Sequence, residues 1–330
     1  MFPRRLIVIA VSLMLCACAS AQSVREIAML EVPGKPGFDG VAIVKGMVLI
    51  SHAGASTVDI FDPVKRRLIG HVNGMSDPRG IAVDQDGGQV FIANHDAKNI
   101  VVLSTEDFHV TGTIPLSASP TELVYIPKWG MLAATDPVSQ QLILVDVRSR
   151  QQANTLPIGA TPGGLAFEPT RDLLCVTLQD AKQVVALNRD LRVVRRMALN
   201  ASQPTGIVYD QKLDRLYVAV RYAVLSLNGA DGSELSRVAA DGGIDRLWLD
   251  PDSRMLYGAA GGSLLVMKAD ARLHAVDELP TEVKGYSIAY DAEHKLVFFP
   301  GARDGRSKLL LLKAVGEGQA DETDAEAKLH

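Results

Sequence analysis

Apolar and polar residues alternate along most of this chain in short runs rich in β-branched side chains: GIAVD at 80–84, QVFIA at 89–93, NIVVLS at 99–104 and HVTGTIPL at 109–116. A period of two is the period of a β-strand, and the Asp, Gly, Pro and Asn residues between the runs supply the turns. Four such runs fit between Pro78 and Pro120, and the pattern then returns, with Pro78, Pro120, Pro162 and Pro204 each 42 residues apart. The same frame finds Ile244-Asp245-Arg246-Leu247 after 40 more residues, Gly285-Tyr286-Ser287-Ile288 after 41, and Phe38-Asp39-Gly40-Val41 40 residues before Pro78. This makes seven repeats of four strands. A four-stranded unit cannot bury both faces alone, so units stack in a circle. The pattern therefore predicts an all-β chain forming a seven-bladed β-propeller with four antiparallel strands per blade.

The two ends of the pattern bear on how such a ring closes. After GYSIAYD, KLVFFPG and SKLLLLKA, the chain turns into the acidic, almost apolar-free stretch GEGQADETDAEAKLH at 316–330, which reads as a disordered tail. The last repeat thus lacks an outer strand. Val24 to Pro33, VREIAMLEVP, is a strand without a repeat of its own and predicts closure of the ring by an N-terminal strand, giving one propeller over 22–315. Small residues on the first strands (Gly80, Ala82, Gly164, Ala166, Ser287, Ala289) fit crowding around a central channel.

Residues 1–21 join a basic start, Arg4 and Arg5, to an apolar run from Leu6 to Leu15 and small residues after it, the pattern of a signal peptide and of export. Leu15-Cys16-Ala17-Cys18 resembles a bacterial lipobox with Cys18 as the lipidated residue, whereas Ala19-Ser20-Ala21 fits cleavage after Ala21; both readings stand. The expected location is the periplasm or the outer membrane, with membrane contact only through a lipid anchor. Of 34 basic residues two lie in the leader and none of the 38 acidic ones do, so the body is acidic, which disfavours nucleic acid as a partner. Cys175 is the one cysteine outside the leader, set in LLCVTL as a core thiol.

With the repeat laid out, Phe91-Ile92-Ala93-Asn94, preceded by PRGIAVDQDG and followed by NIVVLS, resembles the signature of the YVTN, or YncE-like, β-propeller family, and Leu216-Tyr217-Val218-Ala219 matches it in part. The resemblance covers residues 24 to 315 and implies an exported seven-bladed propeller without a fixed activity. Related propellers include lactone hydrolases and a haem-binding domain, so function has to be read from a site.

Strands of a blade alternate in direction. The segment leading into each first strand and the turn between the second and third strands therefore share one face, a funnel. The first set offers Asp39, Arg79, Glu122, Asp245 and Tyr286, the second His52, His95, Asp136, Gln179 and Arg221. These ten are the candidate ligand-binding residues. His52, His95 and Asp136, near equivalent positions in consecutive repeats, combine imidazole with carboxylate and could hold a divalent metal, though no cofactor is required by any motif. Glu122 with Asp39 or Asp245 could act as general base on water. No G-x-S-x-G, H-E-x-x-H or C-x-x-C occurs in the body. The reading is a monomeric, non-enzymatic binding or scaffolding propeller of the bacterial envelope, contacting an envelope protein or a small polar ligand through funnel or rim. The alternative is a lactonase-type hydrolase using funnel carboxylates with or without a metal.

Overall fold

The computed structural model describes residues 23–315; the leader with Cys18 and the tail at 316–330 lie outside the described residues. It is an all-β propeller, but the prediction of seven separate four-stranded blades is corrected. Five four-stranded antiparallel sheets, at residues 38–72, 78–115, 123–157, 162–198 and 207–239, follow one another as blades. The remaining eight strands of the described residues form a single sheet that closes the ring.

The departure has a local cause. Between Leu273 and Gly285 the sequence LHAVDELPTEVKG carries no Gly, Asn or Ser before its last residue, whereas the other outer strands are followed within a few residues by Asn73-Gly74, Ser117, Gly159, Asn200 and Asp241-Gly242, and it runs on as one 13-residue strand. Its first part pairs with Gly261–Ala269 from Leu273↔Ala269 to Pro280↔Ser263, and its end pairs with Leu296–Arg303 at Lys284↔Ala302. Gly285 permits the join, because a Cβ there would stand 2.1 Å from the Pro300 carbonyl oxygen. The sixth and seventh repeats thus become one continuous sheet, and their inner strands shrink to Leu247–Leu249 and Ala289–Asp291.

Strand character follows position within a blade. Met47–His52 and Thr57–Asp62 are buried on both faces, Met47 to Ile50 as an apolar run and Thr57–Asp62 with Asp59 and Asp62 buried among apolar residues, whereas the outer Arg67–Val72 alternates exposed and half-buried. The core lies in layers between neighbouring sheets: Leu49 and Val58 pack with Ile92 and Leu103, and Phe91 and Ile100 with Leu132 and Val145. Tyr257 and Tyr290 stack at 5.0 Å inside the large sheet.

The N-terminal strand Val24–Glu31 pairs antiparallel with Arg306–Ala314, from Val24↔Ala314 to Glu31↔Lys308. The Val315 amide donates to the Ser23 carbonyl at 2.8 Å, and the Val32 amide to that of Ser307 at 3.1 Å. No helix among the described residues is long and apolar enough to cross a membrane.

Candidate functional site at the funnel face

The inner strands crowd each other at one repeated position, occupied by Gly40, Gly80, Gly164 and Gly206. A Cβ on any of them would lie 2.6 to 2.7 Å from a carbonyl oxygen of the next inner segment, belonging to Arg79, Thr121, Thr205 and Asp245 in turn. The Gly80 amide donates to the Thr121 carbonyl at 2.8 Å, and the Gly164 amide to that of Thr205 at 3.0 Å. In the frame of the repeat, the same position holds Glu122 and Arg246. These two long charged side chains sit where the repeat otherwise has nothing larger than Ser287, and they meet each other.

The Arg246 guanidinium donates to Glu122 Oε2 and, at 2.5 Å, to Asp39 Oδ1. Arg79 lies 3.4 Å from the other Asp39 oxygen and donates to Asp77 at 2.7 and 2.9 Å. The result is a chain of alternating charge, Asp77, Arg79, Asp39, Arg246 and Glu122, drawn from four successive or opposed parts of the ring. Asp39, Glu122 and Arg246 keep 17%, 19% and 25% of their side-chain surface open, and that opening faces only the confined funnel.

Carboxylates outnumber the charge available to them. Burial pushes the Glu122 carboxyl up to about 7; the Arg246 charge opposes this, while Asp39 and Asp245 add to it. Burial also raises Asp245 above the ordinary range, again against Arg246 and with Asp39. Burial disfavours the charge on Arg246, but Glu122 and Asp39 outweigh it and hold the guanidinium protonated.

Above this floor is a cavity of about 550 Å³ lined by Asp39, Arg79, Glu122, Gln179, Asp245 and Tyr286 together with Arg246. A second cavity of about 540 Å³ adjoins it, shares Gln179, Thr205 and Asp245, and reaches Arg221. Seven of the ten sequence-predicted residues therefore open into two connected cavities.

The other three do not converge as a metal site. His52 is fully buried, with Nδ1 2.7 Å from Asp59, Nε2 2.7 Å from the Lys35 carbonyl, and its ring stacked on Phe38 at 4.2 Å. Asp136 caps the turn after its own strand, accepting from the Val138 and Ser139 amides at 3.0 Å; burial works against its charge, but these bonds hold its carboxyl below the usual range. His95 lies instead with Asp77 and Asp96, ligand atoms within 4.8 Å of one another, and Asp77 is already engaged by Arg79.

Arg246 is the residue that sequence reasoning left out of the candidate set, although it organises the floor. The signal was available: it and Glu122 are the two charged exceptions at a position that is otherwise Gly or Ser.

No family model matches the chain, and no curated protein does. Among solved structures, the chain is similar to one from Kuenenia stuttgartiensis hydrazine synthase, at 13% identity and a TM-score of 0.74, covering 85% of this chain and 96% of that one. It is equally similar to a chain of the mitotic checkpoint complex, also at 13% identity and TM-score 0.74, covering 96% and 99%. Two such different assemblies share the fold with this chain and say nothing further about it.

Proposed function

We propose that this is a non-enzymatic binding propeller of the bacterial envelope that takes a small polar ligand, or a loop of a partner protein, into the funnel. The supporting observation is the floor itself: long charged side chains occupy two slots where the scaffold favours glycine, and they form a mixed-charge network at the base of a roughly 550 Å³ cavity. Paired unlike charges cancel at long range and leave directional hydrogen bonds, which suits polar, zwitterionic or neutral ligands better than polyanions. The resemblance to YVTN propellers and the leader at residues 1–21 support export.

Isothermal titration of residues 22–330 against anionic, cationic, zwitterionic and sugar-like compounds tests the binding role. Binding weakened at least tenfold by Arg79→Ala is expected, and binding indifferent to Arg79 but lost through changes on outer strands such as Arg67–Val72 would overturn it. Mass spectrometry of the mature N-terminus tests export: a lipidated Cys18 or a free Gln22 supports it, and an intact Met1 opposes it.

One observation favours the second reading. A carboxyl pushed up to about 7 is poised for proton transfer at neutral pH, and Asp39 and Glu122 share one guanidinium, so the ring does not hold them too far apart to cooperate. A lactone panel, run with and without chelator, separates the readings: turnover abolished by Glu122→Gln makes the protein a hydrolase.

A further inference from the structure

The wall of the funnel is uneven. The turns between second and third strands have four residues at 53–56, 95–98, 137–140 and 179–182, but only Arg221 and Tyr222 at the fifth blade and Ala260 at the sixth repeat; the seventh repeat's turn, Asp304 and Gly305, is also short but stands at the end of longer strands, Leu296–Arg303 and Arg306–Ala314. A shorter turn projects less far. The wall drops at the fifth and sixth repeats, and the second cavity opens over it.

That cavity carries one free charge of each sign. Arg221 is exposed, its guanidinium lies 5.3 Å from the centre of the Tyr222 ring, and no carboxylate among the described residues pairs with it. Asp245 is open to solvent only through the two cavities, whose walls crowd it enough to raise its carboxyl, and it makes no side-chain hydrogen bond or ion pair among the described residues, since Arg246 donates to Asp39 and Glu122 instead. The same cavity is lined by Gln179 and Gln203, whose amides can both donate and accept, by Thr205, whose hydroxyl donates to the Ile244 carbonyl and keeps its lone pairs for a ligand, and by Gly243, where a Cβ would meet nothing within 4 Å. Tyr222 is 55% exposed; its left-handed φ of 72° is the conformation that the last residue of the equivalent turns also takes at Ser56, Lys98, Gln140 and Lys182.

We infer that the second cavity is a subsite for an amino-acid-type zwitterion, a free amino acid or a short peptide with unblocked ends, its carboxylate on Arg221 and its ammonium on Asp245. This deepens the binding role proposed above and rests on it. Arg recognises a planar carboxylate through two parallel hydrogen bonds, an unpaired Asp suits a primary ammonium, and the two glutamines match the donor and acceptor of a peptide bond. A dianion would face Asp245 and a dication Arg221, so each is selected against.

The test is calorimetric titration of residues 22–330 with glycine, diglycine, triglycine and Gly-Tyr, beside their N-acetyl and C-amide forms. The free forms bind, and each block weakens binding about tenfold or more, the ordinary consequence of losing a charge-assisted hydrogen bond. Arg221→Ala removes the preference for a free carboxylate while keeping that for a free amine, Asp245→Asn does the reverse, and Arg221→Lys restores part of the first. Equal binding of free and blocked peptides, or binding of none of them, overturns the inference. Another polar ligand lost with Arg79→Ala but indifferent to Arg221 and Asp245 overturns it too, yet leaves the funnel reading intact; if no polar compound binds at all, both fall.

Discussion

Replacing Glu122 by Gln isolates the electrostatics of the funnel floor. The substitution keeps the shape and a hydrogen-bond acceptor for Arg246 and removes the titration. Folding raises this carboxyl from 4.5 to about 7, so the folded state holds its proton more tightly than the unfolded chain. The contribution to stability is therefore fully present below pH 4.5 and is lost as pH rises toward 7. At about 1.4 kcal/mol per pH unit, the whole effect is at most about 3 kcal/mol. The side chain keeps 19% of its surface open, and Asp39 and Asp245 can take up part of the redistribution, so about 2 kcal/mol is expected. Urea unfolding of wild type and Glu122→Gln at pH 5, 6, 7 and 8 reads this directly. The wild type should lose about 2 kcal/mol more than the variant between pH 5 and 8. Parallel curves would refute the crowded-carboxylate account of the floor.

Gly80→Ala puts a Cβ 2.7 Å from the Thr121 carbonyl oxygen and should destabilise by about 1–3 kcal/mol in chemical denaturation, with Gly70→Ala, which meets nothing within 4 Å and needs no left-handed φ, as the contrast in packing. Deleting residues 22–33 strips the partner from Arg306–Ala314 and leaves the apolar edge of KLLLLK unpaired, so size-exclusion chromatography should show aggregates. Burial, reinforced by Glu168, pushes the Cys175 thiol up to about 12; in a chain starting at residue 22 it should resist alkylation at pH 8 and react only in denaturant, as mass spectrometry would record.

The repeat made the architecture readable because every blade repeats the same local conflict, apolar strands that need a neighbouring sheet. Period and turn chemistry place the strands from Phe38 to Ala239 closely. The fusion of the last two repeats was not readable in the same way: whether LHAVDELPTEVKG breaks or runs on depends on what Lys284 finds across from it, and that partner is Ala302. Polarity at the funnel face gave the lining residues, but polarity alone does not distinguish a side chain that points out from one that points in. His52 is the last residue of its strand and turns inward to Asp59, while Arg246 lay one position beyond the residue chosen from its segment.

The pairing of Val24–Glu31 with Arg306–Ala314 joins residues separated by nearly the whole described chain. Contacts of such sequence separation form late, because the loop they close must first be gathered at an entropic cost. A ribosome can release the first blades well before the seam is possible, so the nascent ring is an open arc whose terminal strand has no partner. Until Ala314 has been made and threaded beside Val24, Val24–Glu31 stays without its partner strand and the arc without its closing sheet, and that interval is when a chaperone matters most to this protein.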